Sequence, residues 1–166
     1  VHTNRTLKLN SPNTFENSIG GSGADSLAGN GTSNTLTGGA GDDTLNGGAG
    51  SDLLLGGLNN DTYFFTAASS AEADQVTEKT NEGIDTISFA ALTTRVTFHL
   101  GSNATQNVHI NRTLKLNSPN TFENSIGGSG ADSLAGNSAN NTLTGGLGDD
   151  ILNGGVGSDL LLEDQQ

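Results

Sequence analysis

An apolar side chain returns at every ninth position from Gly20 to Phe64: Leu27, Leu36, Leu45, Leu54 and Tyr63. Two positions ahead of each stands an acid or its amide, Asp25, Asn34, Asp43, Asp52 and Asp61, and a glycine opens every unit. The frame returns at 127–162, where Leu134, Leu143, Leu152 and Leu161 follow Asp132, Asn141, Asp150 and Asp159. Glycine pairs permit sharp bends that aim carbonyl oxygens inward, which leaves three residues per unit for a very short strand with its middle side chain facing a core. One leucine per nine residues cannot build a domain alone. Stacked turns can, because each covers its neighbour's apolar side and extends its neighbour's ladder. The pattern therefore predicts an all-β solenoid.

A longer period encloses the short one. Residues 1–55 match 108–162 at an offset of 107, differing only at Thr3, Gly31, Thr32, Ser33, Ala40, Thr44 and Ala49 of the first copy. In the lead-in of the second copy, Val108 to Leu116 alternates apolar and polar residues and predicts one strand covered on one face. The Ser118-Pro119-Asn120 turn and a short strand over 122–126 follow, and Leu7, Leu9, Phe15 and Ile19 read the same way. The middle segment, 65–107, breaks the frame: a helix or loop over 67–73, then strands over 74–78, 83–89 and 94–100. Three parts result: 1–64, lead-in strands plus a first roll with its nonapeptides at 20–64; 65–107, a strand-rich connection; and 108–166, a second lead-in and roll with nonapeptides at 127–162. Val1 begins in mid-pattern, so the chain reads as a fragment of a longer array.

Composition sharpens the picture. Only 31% of the residues are hydrophobic and 4% aromatic, with 25 glycines and no cysteine. Without the period this would suggest disorder. A net charge of -12 makes the chain self-repelling and argues against nucleic acid or an anionic membrane surface as partner. No apolar run reaches membrane-spanning length, which argues against insertion. Two nines make one coil, so carboxylates two units apart stack at about one strand spacing, roughly 4.8 Å. Stacked carboxylates repel, and a hard cation between them reverses the sign. Ligands that are all oxygen suit calcium better than zinc or copper. A mere turn former need not recur at every ninth position beside a glycine pair. Enzyme chemistry is not indicated: no GxSxG elbow is present, the aspartates run along a coil rather than gather in a cleft, and no GK[ST] follows Gly20–Gly23. His2, His99 and His109 are too scattered for a zinc site.

The units GGAGDDTLN and GGAGSDLLL closely resemble the nonapeptide of RTX (repeats-in-toxin) proteins. The resemblance implies a parallel β-roll, a β-solenoid of short strands and glycine-rich turns, with calcium held between successive loops on each edge. It implies the pairs Asp25 with Asp43, Asn34 with Asp52, Asp43 with Asp61, Asp132 with Asp150, and Asn141 with Asp159. Backbone carbonyls around Gly21, Gly23, Gly39, Gly41, Gly48 and Gly50 would complete the shells. Thr32 and Ala139 replace the fourth-position glycine where Asn replaces Asp, so the Asn34 and Asn141 sites are expected to be weak or empty. Asn59 also replaces a glycine, and its loop is expected to be distorted. In the family an acidic segment often follows the roll, which makes Asp74, Glu82 and Asp85 extra candidate ligands. Solvated turn carboxylates fit those three equally well.

The expected function is a calcium-binding structural module that folds and rigidifies in extracellular calcium. It would belong to the repetitive, adhesin-like region of a large secreted or surface bacterial protein, exported by type I secretion, with neighbouring repeat modules of the same chain as partners. The alternatives are a carbohydrate-binding roll that contacts cell-surface or matrix polysaccharide and a folding aid appended to a secreted enzyme. An ice-binding face would need an unbroken Thr array, and Leu53 and Leu55 interrupt the one begun by Thr35 and Thr37. Outward leucines at 53 and 55 call for cover from the middle segment or a lead-in.

Overall fold

The computed structural model describes residues 4–8 and 15–164. Of the sequence expectations, His2, Leu9 and the turn at 11–13 lie outside the described residues. Short strands carry the described chain, with no helix among them. In order they are β1 (Thr6–Lys8), β2 (Asn17–Gly21), β3 (Ser26–Ala28), β4 (Thr35–Ala40), β5 (Thr44–Asn46), β6 (Leu53–Leu58), β7 (Thr62–Phe64), β8 (Glu72–Thr77) and β9 (Thr86–Ser88). The series continues with β10 (Thr97–His99), β11 (Gln106–His109), β12 (Arg112–Leu116), β13 (Asn124–Ile126), β14 (Ser133–Ala135), β15 (Thr142–Thr144), β16 (Ile151–Asn153) and β17 (Leu160–Leu162).

Successive units alternate between two faces, and strands one coil apart pair in parallel. The register is that of the repeat: Leu27 lies beside Leu45, Leu36 beside Leu54, and Leu143 beside Leu161. The result is a parallel β-roll. One 8-stranded sheet runs β1-β3-β5-β7-β9-β13-β15-β17, so it passes from the first set of nonapeptides through β9 of the middle segment into the second set. The facing strands form a 6-stranded sheet, β11-β12-β8-β6-β4-β2, and a 3-stranded sheet, β10-β14-β16. Where these two meet, the Gln106 side chain imitates a strand: its Oε1 accepts from the His99 backbone N–H at 2.9 Å, and its Nε2 donates to the His99 carbonyl at 2.9 Å.

The single strand expected over Val108–Leu116 is instead an antiparallel hairpin. Asn111 takes a left-handed φ of 62° and turns the chain between β11 and β12. Asn tolerates that conformation better than most residues. The expected distortion at Asn59 is also corrected. Asn59 itself adopts a left-handed φ of 79°, as Gly41 and Gly50 do at the same place in their units, and the register Gly39–Gly57, Ala40–Leu58 runs up to it. At 67–71 the chain is a loop, and strand begins at Glu72.

The odd number of half-coils in the middle segment leaves the second copy rotated. Asn17-Ser18-Ile19 lies in the 6-stranded sheet, whereas the identical Asn124-Ser125-Ile126 lies in the 8-stranded one. Thr6-Leu7-Lys8 is exposed at an edge, while the matching strand β12 is inserted beside β8 and buries Arg112, Leu114 and Leu116.

The core is a file of single side chains: Leu27, Leu36, Leu45, Leu54, Tyr63, Val76, Ile87, Leu134 and Leu143. The middle segment thickens it with aromatics. Phe65 stacks on Phe89 at 5.6 Å, and Phe98 meets Phe89 edge-on at 5.1 Å. Leu53 and Leu55 are half-buried, flanked in the sheet by Gln75 and Thr77 of the middle segment. Leu160 and Leu162 at the last strand are exposed. Among the described residues no helix is long and apolar enough to cross a membrane.

Candidate metal centres

Each bend places its position-six carboxylate against the next coil in the same way. The backbone N–H of Asp25 donates to Asp43 Oδ1 at 2.7 Å, that of Asp43 to Asp61 Oδ1 at 2.8 Å, and that of Asp61 to Asp85 Oδ1 at 2.9 Å. On the other edge the N–H of Asn34 donates to Asp52 Oδ1 at 2.8 Å and that of Asp52 to Asp74 Oδ1 at 3.0 Å. In the second run Asp132 N–H reaches Asp150 Oδ1 at 2.8 Å, and Asn141 N–H reaches Asp159 Oδ1 at 2.9 Å. The pairs implied by the resemblance are thus neighbours along two ladders.

Only one oxygen of each carboxylate is used by the ladder. Oδ2 of Asp25, Asp43, Asp52, Asp61 and Asp150 is buried with no hydrogen-bond partner. Such an orphan costs about 1–3 kcal/mol, more when charged. The space beside it is kept open by the head glycine. A methyl group at Gly38 would overlap Asp43 Oδ2 and the Gly56 carbonyl oxygen, and one at Gly20 would overlap Asp25 Oδ2 and the Gly38 carbonyl oxygen. The second-run glycines Gly127 and Gly145 stand in the same relation to Asp132 Oδ2 and Asp150 Oδ2. At Gly20 and Gly38 a carboxylate and a carbonyl therefore converge on a cradle with no donor bonded to the carboxylate oxygen, whereas Asp132 Oδ2 accepts from Gly128 N–H at 2.6 Å. The orphaned oxygens and the all-oxygen donor set fit a hard cation of the calcium class.

The glycines at positions two and four play a different part. Gly39, Gly41, Gly48 and Gly50 have left-handed φ angles of 119°, 112°, 90° and 111°. Gly39 packs directly on the carbonyl of Gly21, and Gly41 on that of Gly23, so coils approach as closely as the strand spacing requires. The carbonyls that face the carboxylate cradles belong to head glycines, Gly38 and Gly56 among them, which the sequence reasoning did not single out.

The asparagine rungs are built otherwise. Asn141 Oδ1 accepts from Asn137 N–H at 2.8 Å, and Nδ2 donates to the carbonyls of Glu123 at 3.0 Å and Phe122 at 3.5 Å. Asn34 does the same with Asn30 N–H at 2.8 Å and the Phe15 carbonyl at 3.2 Å. Here Oδ1 is the atom beside the head glycines Gly29 and Gly136, and the amide donor satisfies carbonyls of the preceding coil.

The middle segment closes the ladders with its own groups. Arg112, 3% exposed, pairs with Asp74 Oδ2 and with Glu72 at 2.7 Å, and lies over the Phe65 ring at 5.2 Å. Asp74 thus has an organic cation as partner. Glu82 sits partly exposed, its side chain pairs with Lys79 at 3.1 Å, and its carbonyl accepts from Asn59 N–H at 2.7 Å. Asp85 continues the ladder, and its N–H donates to Glu123 Oε2 at 2.9 Å. Glu123 was missed as a rung; extending the nine-residue frame one unit back, to 118–126, puts it at position six. Glu78, also missed, reaches Tyr63 Oη and lies with Asp61 and Asp85.

Burial dominates the electrostatics. Desolvation, aided by neighbouring carboxylates, pushes Asp52 up to about 6, Asp61 to about 7, Glu78 to about 8 and Asp85 to about 6. Asp43, Glu123 and Asp132 are raised as well, chiefly by burial. Backbone N–H groups pull the other way without winning. The cation-free roll therefore holds carboxylates in places that disfavour their charge.

The family model described as the RTX calcium-binding nonapeptide repeat (4 copies) matches residues 19–54, 28–63 and 126–161. A search of the curated proteins found no match.

Proposed function

Because the chain belongs to the RTX calcium-binding repeat family, whose nonapeptides bind calcium as structural repeats, we propose that this chain folds and stiffens when extracellular calcium fills its cradles. The supporting observation is the row of buried, partnerless Oδ2 atoms facing head-glycine carbonyls. Extracellular calcium modules bind with Kd of about 10⁻⁴ to 10⁻³ M, so at about 1 mM free ion each filled site adds up to roughly 1.4 kcal/mol. Several sites together approach the whole stability of a small domain. In a cytoplasm poor in calcium the same carboxylates repel, and an extended chain suits passage through a type I export channel. The 107-residue period suits a stalk-like, adhesin-like array at the surface of a bacterium, with neighbouring copies as partners. Burial of Tyr63, Phe65, Phe89, Phe98 and Phe122, with Phe15 the one largely exposed ring among the described residues, supports a structural role over a polysaccharide-binding one, which needs several exposed rings. Circular dichroism in calcium and in EDTA tests the reading. A gain of β signal with calcium is expected, and equal β content in EDTA would refute it.

A further inference from the structure

A group of carboxylates of which the nonapeptide frame supplies only Asp61 lies where the first roll meets the middle segment. Asp61, Glu78 and Asp85 are all buried and offer oxygens within 4.8 Å of one another. They come from three separate stretches: the bend before β7, the end of β8, and the bend before β9. Asp61 is 1% and Glu78 2% exposed, and both Asp61 Oδ2 and Glu78 Oε2 are buried without a partner. The third element of the site is a missing side chain. A Cβ on Gly56 would overlap Asp61 Oδ2, Glu78 Oε1 and Tyr63 Oη together, so three oxygens from three residues point into one small space.

The surrounding groups fix these oxygens. Tyr63 O–H donates to Glu78 Oε1, and Gly56 N–H donates to Tyr63 Oη at 2.6 Å. The Glu78 backbone is held on both sides by the Asn117 side chain, whose Oδ1 accepts from Glu78 N–H at 3.1 Å and whose Nδ2 donates to the Glu78 carbonyl. Asp85 is held by Asp61 N–H at 2.9 Å. Among the described residues no lysine, arginine or histidine is hydrogen-bonded or paired to the three, in contrast to Asp74 with its Arg112. Three converging carboxylates with two oxygens unpaired need a positive charge, and a set of carboxylate and phenol oxygens selects a hard one.

We propose that Asp61, Glu78 and Asp85, with Tyr63 Oη alongside, form a calcium site at the junction of roll and middle segment that clasps 65–85 onto the first roll. Glu78 is the diagnostic ligand, because it lies outside the repeat. The site rests on the proposed function, since the roll that brings Asp61 to Glu78 forms as the repeat cradles fill.

The sequence offers a selective probe: Tyr63 is the only tyrosine and there is no tryptophan. Terbium, a calcium-sized oxygen-seeking ion, emits on excitation through tyrosine only when bound near that ring. Titration of the folded chain should give tyrosine-sensitised emission that calcium displaces. Its lifetime should be nearly equal in H2O and D2O, because buried carboxylates leave little room for water. Glu78→Gln, which keeps the side chain's size, should raise the half-saturating terbium concentration at least about ten-fold, the scale of losing one anionic ligand. Tyr63→Phe should abolish the emission. An unshifted titration in a folded Glu78→Gln chain would overturn the proposal. So would a fully hydrated lifetime in the unmodified chain, a reading that holds even should the variant not fold. Failure of the repeats themselves would look different, as an absence of any calcium-induced β signal.

Discussion

Asn141 separates the two ways this roll satisfies a bend, and replacing it with aspartate should convert one into the other. The residue is 2% exposed, and its Nδ2 donates to Glu123 and Phe122 carbonyls at 3.0 and 3.5 Å. In Asn141→Asp, Oδ1 keeps its bond from Asn137 N–H, but the second oxygen faces two carbonyls with no donor between them. A buried unsatisfied group costs about 1–3 kcal/mol. Taking about 2 kcal/mol, a bound ion offsets it once RT ln(1 + [Ca]/Kd) reaches the same value, at roughly 30 times Kd. For Kd of about 10⁻⁴ M that is about 3 mM calcium. Urea unfolding at a series of calcium concentrations should therefore give two lines that cross. The variant should be weaker at low calcium, stronger above the crossing, and steeper against ln[Ca] by about one ion. Parallel lines, with the variant weaker throughout, would refute the idea that a carboxylate at this bend takes a cation.

Three further outcomes follow from the same geometry. Asp52, Asp61, Glu78 and Asp85 have higher pKa values folded than unfolded. Such groups favour the fold fully below the unfolded value near 4 and lose that contribution as pH rises through about 6 to 8. Acid should thus partly replace calcium: in chelator, the β signal in circular dichroism should rise as pH is lowered from about 8 to about 5, and a flat or falling signal would contradict the burial of these groups. Arg112→Met leaves Asp74 and Glu72 buried without their counter-charge, so it should cost about 3–5 kcal/mol in urea unfolding, part of it recovered at high calcium. Leu54, 0% exposed at the middle of the leucine file, should cost about 2–5 kcal/mol on replacement by alanine, as much as two or more filled sites, measured at saturating calcium.

The bends and the leucine file were legible because one side chain recurs at each ninth place, and a stacked coil is the arrangement that gives every copy the same neighbours. The ladders Asp25–Asp43–Asp61 and Asn34–Asp52 follow from that translation alone. Groups outside the repeat were not legible for a physical reason. Where Glu78 and Arg112 land depends on the lengths of the loops around β8 and β12, and no period records those lengths. Arg5 and Arg112 have the same local sequence, yet Arg112 is buried in an ion pair and Arg5 is exposed with its Nη1 3.3 Å from the Gly20 carbonyl. The difference is made by β8, which β12 pairs with and β1 does not. The hairpin at Asn111 was hidden by alternation that runs on through Ile110, a residue that proves 70% exposed. Glu123 could have been read by carrying the frame one unit further back.

The central claim is that cations among layered carboxylates do the work a larger apolar interior would do. Small-angle X-ray scattering across a calcium titration measures it directly. A random chain of this length has a radius of gyration of about 43 Å and a compact one about 15 Å. The account predicts a value near the unfolded figure in EDTA and a cooperative fall toward the compact one as calcium enters the millimolar range. A compact chain in EDTA at neutral pH, unchanged on adding calcium, would contradict it.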